Sequence, residues 1–294
     1  MTAVPLYVRS SDITGFKECE MKWWLNHLYA EERDDAIWFL LGTAVHSGIE
    51  QAITDELDVD EARHAAWLDY QIMASDGRRQ GRGMIEQRQT ARTKRGIATV
   101  EADIHRMVGK WFDNVHPDGK ERIDYFDELE WPPIMVEKVI STPTPVGVWL
   151  HTTVDAVFQH GTHEYVRPIV DWKSGATAGK AKDLQLWTYQ YGGRLEGWID
   201  EAQKYPGVFV HLDHGKLQHV SEYPGDATMA RWVYTTRMRK AQTLVDLPLP
   251  FKDWWCNYCP VRPFCPQEGE GTWDDVQQRM NKVTWVDNPN DWSK

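Results

Sequence analysis

Four cysteines constrain this chain more than any other feature. Cys256, Cys259 and Cys265 lie together in WWCNYCPVRPFCP, while Cys19 stands far upstream in SDITGFKECEMKWW. A set read as C…CxxCx5C suits one tetra-thiolate metal centre, either structural zinc or an iron–sulfur cluster. The alternative is four unrelated buried thiols. If the four converge, the first helix must meet the C-terminal region across the whole chain. At 294 residues the chain is too long for a small secreted disulfide scaffold. Its opening, MTAVPLYVRSSD, lacks the basic and apolar stretches of a secretory leader, so a cytoplasmic location is expected.

Hydrophobic residues make up 41% and charged residues 26%, a balance that excludes disordered and fibrous classes. No apolar run approaches the roughly 20 residues of a membrane-spanning helix. With 33 Lys and Arg against 44 Asp and Glu, the net charge is −11, so contact with a polyanion must rest on a local basic patch. Two stretches qualify. Between Arg78 and Arg95, the cations Arg78, Arg79, Arg82, Arg88, Arg92, Lys94 and Arg95 face a single acid, Glu86. From Arg231 to Lys240, cations alternate with Trp232 and Tyr234, a pattern suited to a phosphate backbone with base stacking. The competing reading of both is a solvated charged face. Tryptophan is abundant at 16, for which the sequence offers no reason.

The spacing of apolar residues predicts a helix over 10–30, with Ser10, Ser11 and Asp12 as capping oxygens. A second helix is expected through FLLGTAVHSGIEQAITDEL, and more helix from 60 to about 115, interrupted by GRRQGRGMIEQRQTARTKRG. After Pro132 and Pro133 the pattern turns to strands: MVEKVIST, GVWLHTTVDAVFQ and HEYVRPIVDWKSG. Next come a helix over KAKDLQLWTYQYGGRLEGW, a hairpin turning at Asp213–Gly215 and a basic helix at 226–245, and the polar tail 284–294 is expected to be poorly ordered. Together these imply an α/β fold with a mixed sheet.

Chemistry concentrates in the strands. Asp155 is expected to end one apolar strand and Asp171 the next, with Lys173 on the same face as Asp171. Two carboxylates at adjacent strand ends make an oxygen-rich site for Mg2+ or Mn2+. A lysine beside them orients water or neutralises developing phosphate charge. Gln185 and Tyr189 share one helix face and are placed over Lys173. His46 sits among small residues in GTAVHSGIE, which permits close packing on a neighbouring element. A solvated Asp–Lys pair and a core histidine are the plainer readings.

In this order, GTAVHSGIE, Asp155, DWKSG, QLWTY and CNYCPVRPFC resemble the RecB-like branch of the PD-(D/E)XK nuclease superfamily, over residues from about 10 to 270. The iron–sulfur subgroup is the most similar: CRISPR-associated RecB-like exonucleases, the nuclease domain of AddB-type subunits, and phage exonucleases. The resemblance implies a restriction-endonuclease-like α/β core. It implies metal ligands at His46, Asp155 and Asp171 and at the main-chain carbonyl of Trp172. Asp155, Asp171, Lys173, Gln185 and Tyr189 are the implied catalytic set, and Cys19, Cys256, Cys259 and Cys265 the implied ligands of a [4Fe–4S] cluster. Glu137 matches the acid of the first motif. DWKSG is nearer the DYKTG of recombination nucleases than the ExK of many CRISPR relatives.

The expected organisation is a helical region at 1–130 carrying Cys19, His46 and a basic segment, a nuclease core at 131–245, a cluster segment at 246–270 and a tail at 271–294. The expected activity is metal-dependent exonucleolytic hydrolysis of single-stranded DNA or duplex ends, in recombination, repair, phage replication or CRISPR adaptation. Zinc is the alternative occupant of the four thiolates. The alternatives to the activity are a non-catalytic DNA-binding scaffold and an RNA-directed nuclease. A separate helicase or a recombination or adaptation partner is expected, since no motor motif is present, and an oligomer is compatible with the sequence. HLDHGKLQH reads as a hairpin rather than a metal site, and GATAGKA lacks the spacing of a phosphate-binding loop.

Overall fold

Helical periodicity at the start of the chain breaks at the first cysteine. The computed structural model describes residues 3–85, 87–88, 94–95, 98–174, 183–243, 246, 248, 250, 256 and 259–289. Strand β1 (Ala3–Pro5) leads into α1 (Ser10–Glu18) and α2 (Glu20–Leu28), two helices in place of the single one that the spacing predicts over 10–30. Cys19 separates them in extended conformation, and its Sγ accepts the Lys22 N–H at 3.3 Å, which caps α2. The cap of α1 is Arg9 rather than Ser10, Ser11 or Asp12. Asp12 occupies the third helical position, and its carboxylate accepts the Arg9 N–H at 2.8 Å.

Next come β2 (Asp35–Ala36), α3 (Ile37–Thr54), α4 (Val59–Arg79), β3 (Met84–Ile85), β4 (Gln87–Arg88), β5 (Lys94–Arg95) and α5 (Val100–Asn114). The two-residue strands form small ladders, β2 with β3 and β4 with β5. Asp58 caps α4 by accepting the Asp60 and Glu61 N–H groups at 2.9 Å. Gly48 lets α3 lie against α4, since a Cβ there would stand 2.6 Å from the Ala66 Cβ.

The second half supplies β6 (Met135–Pro143), β7 (Trp149–Val157), β8 (Ile169–Lys173), α6 (Leu184–Leu195), β9 (Gly207–His211), β10 (Lys216–His219), α7 (Asp226–Gln242), α8 (Trp273–Met280) and β11 (Thr284–Val286). Five strands form one sheet in the order β10-β9-β8-β7-β6. Among the described residues its one parallel pair is β8 with β9, joined through α6. Helices α3, α4 and α5 cover one face through Val170, Trp172, Val208 and Val210. Helix α6 covers the other over Ile140, Val154, Ile169 and Phe209. Val8 and Ile13 pack with Tyr191, Met229 and Val233, so α1 and α7 lie on the α6 side. The first 130 residues are therefore divided between the two faces of a mixed α/β core.

The structure departs from the sequence expectation at the tail and at the strand ends. Thr284–Val286 is a strand, parallel to β1, with Trp285 edge-on to Trp24 at 5.1 Å; residues 290–294 lie outside the described residues. The indole of Trp285 turns that part of the tail toward the cluster around α2. Neither Asp155 nor Asp171 ends its strand: Asp155 is third from the end of β7, and Asp171 is central in β8. The abundant tryptophans have a structural account in part. Trp24, Trp111 and Trp172 are fully buried, the last two edge-on at 6.1 Å. Among the described residues, no helix is long and apolar enough to cross a membrane.

Candidate active site

Helix α3 buries Ala44, Val45, Gly48 and Ile49 and leaves His46 on its groove side. Small residues allow this closeness. At Gly42, one turn before His46, a Cβ would lie 2.8 Å from the Ser174 Oγ, just past the end of β8. His46 Nδ1 stands 3.5 Å from Asp155 Oδ2, which also accepts the Trp172 N–H at 2.7 Å. Trp172 thus reaches the site through its N–H, while its indole fills the core.

Glu137 enters through an irregularity. Its φ of 45° is left-handed, which side chains other than glycine rarely adopt. The β6–β7 ladder runs in register on both sides of it, Val136 opposite Ala156 and Lys138 opposite Val154. Alternation nevertheless reverses there. Val136, Ala156 and Phe158 pack toward the α3–α5 core, whereas Ile140 and Val154 pack toward α6. At this point Glu137, paired across the ladder with Asp155, meets His46, each of the three offering a ligand atom within 4.8 Å of the others. Backbone strain of this kind costs about 1–3 kcal/mol and is characteristic of functional sites.

Asp171 is expected in that ligand group; in the structure it lies close enough to feel the charges of Asp155 and His46, and its carboxylate is engaged by Lys173, Gln185 and Tyr189. Its Oδ2 pairs with the Lys173 Nζ, and its Oδ1 accepts the Gln185 Nε2 at 2.9 Å and the Tyr189 hydroxyl at 3.3 Å. Gln185 ties the set together. Its Oε1 accepts from the Lys173 Nζ at 2.8 Å, and its Nε2 also donates to the Tyr189 oxygen at 2.6 Å. Alternation along β8 explains the division, since Asp171 and Lys173 share the α6 face while Val170 and Trp172 face α3.

The acidic groups of the site are buried and crowded. Burial and the Asp155 charge push Glu137 up to about 7. Burial pushes Asp171 up to about 6, although Lys173 opposes it. Burial disfavours the charged form of His46, yet Asp155, with Asp171 and Glu137, outweighs it and raises the imidazole to about 9. Burial and the Asp171 charge hold the Tyr189 phenol well above its ordinary value. Carboxylates crowded until they resist ionisation are a poor arrangement alone and a good one around a divalent cation. The set opens on a groove of about 580 Å³ lined by Trp38, Phe39, Gly42, Thr43, His46, Ser47, Glu50, Glu137 and Ser174.

A family comparison decides what kind of site this is. The sequence profile of the PD-(D/E)XK nuclease superfamily matches residues 10–266. The chain belongs to the PD-(D/E)XK nuclease superfamily. No curated protein matched it. PD-(D/E)XK enzymes are nucleases that use divalent metal ions, and Glu137 and Asp155 supply the hard oxygen donors such ions take, with the His46 imidazole beside them. In PD-(D/E)XK terms, the match spans every candidate residue from His46 to Cys265. Glu137, the least marked in the sequence, is central in the geometry.

All four cysteines line one cavity, which Lys22 and Arg262 also line. Three come from two turns, one in which the Cys259 N–H bonds the Cys256 carbonyl and one in which the Cys265 N–H bonds that of Arg262. Cys19 arrives from the break between α1 and α2. Four thiols beside two cations fit an anionic thiolate metal centre, while burial keeps the Cys259 thiol high as long as it is a free thiol.

The basic stretches fare differently. Arg79 pairs with Asp76 and Arg82 with Asp35. Glu86 and Arg92 lie outside the described residues, as do the side chains of Arg88, Lys94 and Arg95 and the whole of GATAGKA. In the second stretch, Lys240 is fully buried rather than a surface cation, because Asp12 holds it at 2.8 Å. Arg237 pairs with Asp287 and Arg239 with Glu20. HLDHGKLQH is a hairpin, with Asp213 bound to Arg106 at 2.6 Å.

Proposed function

We propose that this nuclease is a metal-dependent DNA exonuclease of the RecB-like, iron–sulfur type, acting on single-stranded DNA or duplex ends. The observation that carries the reading is the meeting of His46, Glu137 and Asp155 beside a lysine held by Asp171 and Gln185. His46, Glu137 and Asp155 would hold one or two Mg2+ or Mn2+ ions, with Asp171 and the Trp172 carbonyl completing the set as the resemblance implies. A bound cation supplies Lewis-acid polarisation of the scissile phosphate and acidifies the attacking water.

The chain does the rest. Among the described residues, Asp171 and Gln185 occupy two donor directions of the Lys173 ammonium, which leaves the third for the attacking water or a phosphate oxygen. That charge stabilises the pentacovalent transition state. Tyr189 holds Asp171 from behind. Cys19, Cys256, Cys259 and Cys265 would hold a [4Fe–4S] cluster that joins the chain ends, a role suited to a reducing cytoplasm. Unwinding would fall to a separate helicase or to a recombination or adaptation partner.

End-labelled single-stranded and duplex DNA, incubated with Mg2+ or Mn2+, tests the reading. Stepwise, metal-dependent release of label is expected, reduced about 10²–10³-fold or more by Lys173→Ala. Cleavage unchanged in that variant would overturn the site, and internal cutting of circular DNA would overturn the exonuclease assignment.

A further inference from the structure

Helix α3 presents Phe39, Thr43, His46 and Glu50 to the groove, a spacing of four, three and four that defines one helix face. Three of these are polar, as phosphodiester chemistry requires. Phe39 is not, and it is 53% exposed. Its neighbour Trp38 packs partly against the α3–α5 core, with the two rings 5.9 Å apart and tilted by 44°. Among the described residues, Phe39 is the only exposed large apolar side chain that lines this groove. The helix rise of about 1.5 Å per residue puts it roughly 10 Å from His46, about three nucleotides of a stacked strand and fewer of an extended one.

We propose that Phe39, backed by Trp38, is a stacking platform for an unpaired nucleobase within about three nucleotides of the scissile phosphate. The proposal rests on the nuclease reading and adds the origin of its strand preference. A rigid aromatic face offers stacking to every base without reading sequence. Bases inside a duplex are already stacked and paired, so the platform rewards single strands and frayed ends. Glu50 and Glu137, which line the same groove, repel the phosphate backbone wherever a cation does not mask them, so base stacking adds an attraction that their charges do not supply.

The test uses single-stranded oligonucleotides carrying 2-aminopurine at successive positions from the end, bound to the Lys173→Ala protein with Mg2+. Fluorescence should be quenched at one or two positions, recover in Lys173→Ala/Phe39→Ala, and be quenched again in Lys173→Ala/Phe39→Trp. In the active protein, Phe39→Ala should raise KM for single strands about 5- to 150-fold, the range expected for one stacked base, with kcat little changed. Blunt duplex should be affected less. Quenching that survives Phe39→Ala, or equal losses on both substrates, overturns the platform and leaves the nuclease standing. A protein that cuts neither substrate overturns both.

Discussion

Glu137 and Asp155 face each other across β6 and β7 at the point where both strands change the sheet face they bury. The change is paid in backbone strain at Glu137, whose φ is 45°. As opposed residues of an antiparallel pair the two carboxylates lie on one side of the ladder, where His46 meets them.

This makes Glu137→Gly an informative substitution. Glycine adopts a left-handed φ freely and carries no charge to crowd Asp155. The variant should be about 1 kcal/mol more stable than the parent without metal, and should lose the thermal stabilisation that Mn2+ gives the parent. Nuclease rate should fall about 10²-fold or more. Denaturant unfolding with and without Mn2+ checks this; a less stable metal-free variant would mean that Glu137 is structural.

Gln185 donates to Asp171 and Tyr189 while accepting from Lys173. An amide of this length does both at once. Gln185→Glu keeps the shape but loses the donors and adds a fourth carboxylate to a crowded site. It should reduce kcat about 10- to 100-fold, the usual cost of losing an orienting partner, with KM nearly unchanged. Single-turnover rates at saturating DNA would show it, and a loss confined to KM would place Gln185 on the substrate instead.

Asp12 and Lys240 form a buried ion pair that anchors α1 to α7. Burial pushes the Asp12 carboxyl up, but the Lys240 and Arg9 charges outweigh it and hold the group below the usual carboxylate range. A depressed folded value contributes stability that is fully present above pH of about 4 and lost as the pH falls through the folded value. Asp12→Asn should therefore cost about 3–5 kcal/mol near neutrality, since it strands the buried ammonium. The gap to the parent should narrow below pH of about 4. Denaturant unfolding at several pH values checks this, and a constant gap would remove the pair from the account.

What the sequence made legible was whatever depends on local spacing. Asp171 and Lys173 share a face because β8 is regular, and Gln185 and Tyr189 share one because α6 is. The break at Cys19 was hidden because Phe16, Trp23 and Trp24 continue a helical apolar pattern through it. Asp12 and Lys240 are 228 residues apart, so nothing local marks either as buried. In its own stretch of sequence Lys240 therefore reads as a surface cation. Glu137 is the faintest signal for a related reason: a left-handed residue inside a strand leaves no trace in period-two alternation.

The four cysteines yield the last expectation. Cys19 comes directly after α1, and α1 also reaches β7, where the Ser10 hydroxyl meets that of Thr152 at 2.8 Å. Val8 pairs beside Leu150 on the same strand that carries Asp155. A centre that fixes Cys19 therefore steadies β7, the strand that carries Asp155. Anaerobically purified protein should be brown and contain iron and sulfide, and Cys259→Ser should remove both and lower the Tm. Activity should fall in proportion to cluster content, with the KM of the remaining active fraction unchanged. A colourless, zinc-loaded protein of full activity would assign the four thiolates to zinc, leaving the tether argument intact and the cluster excluded.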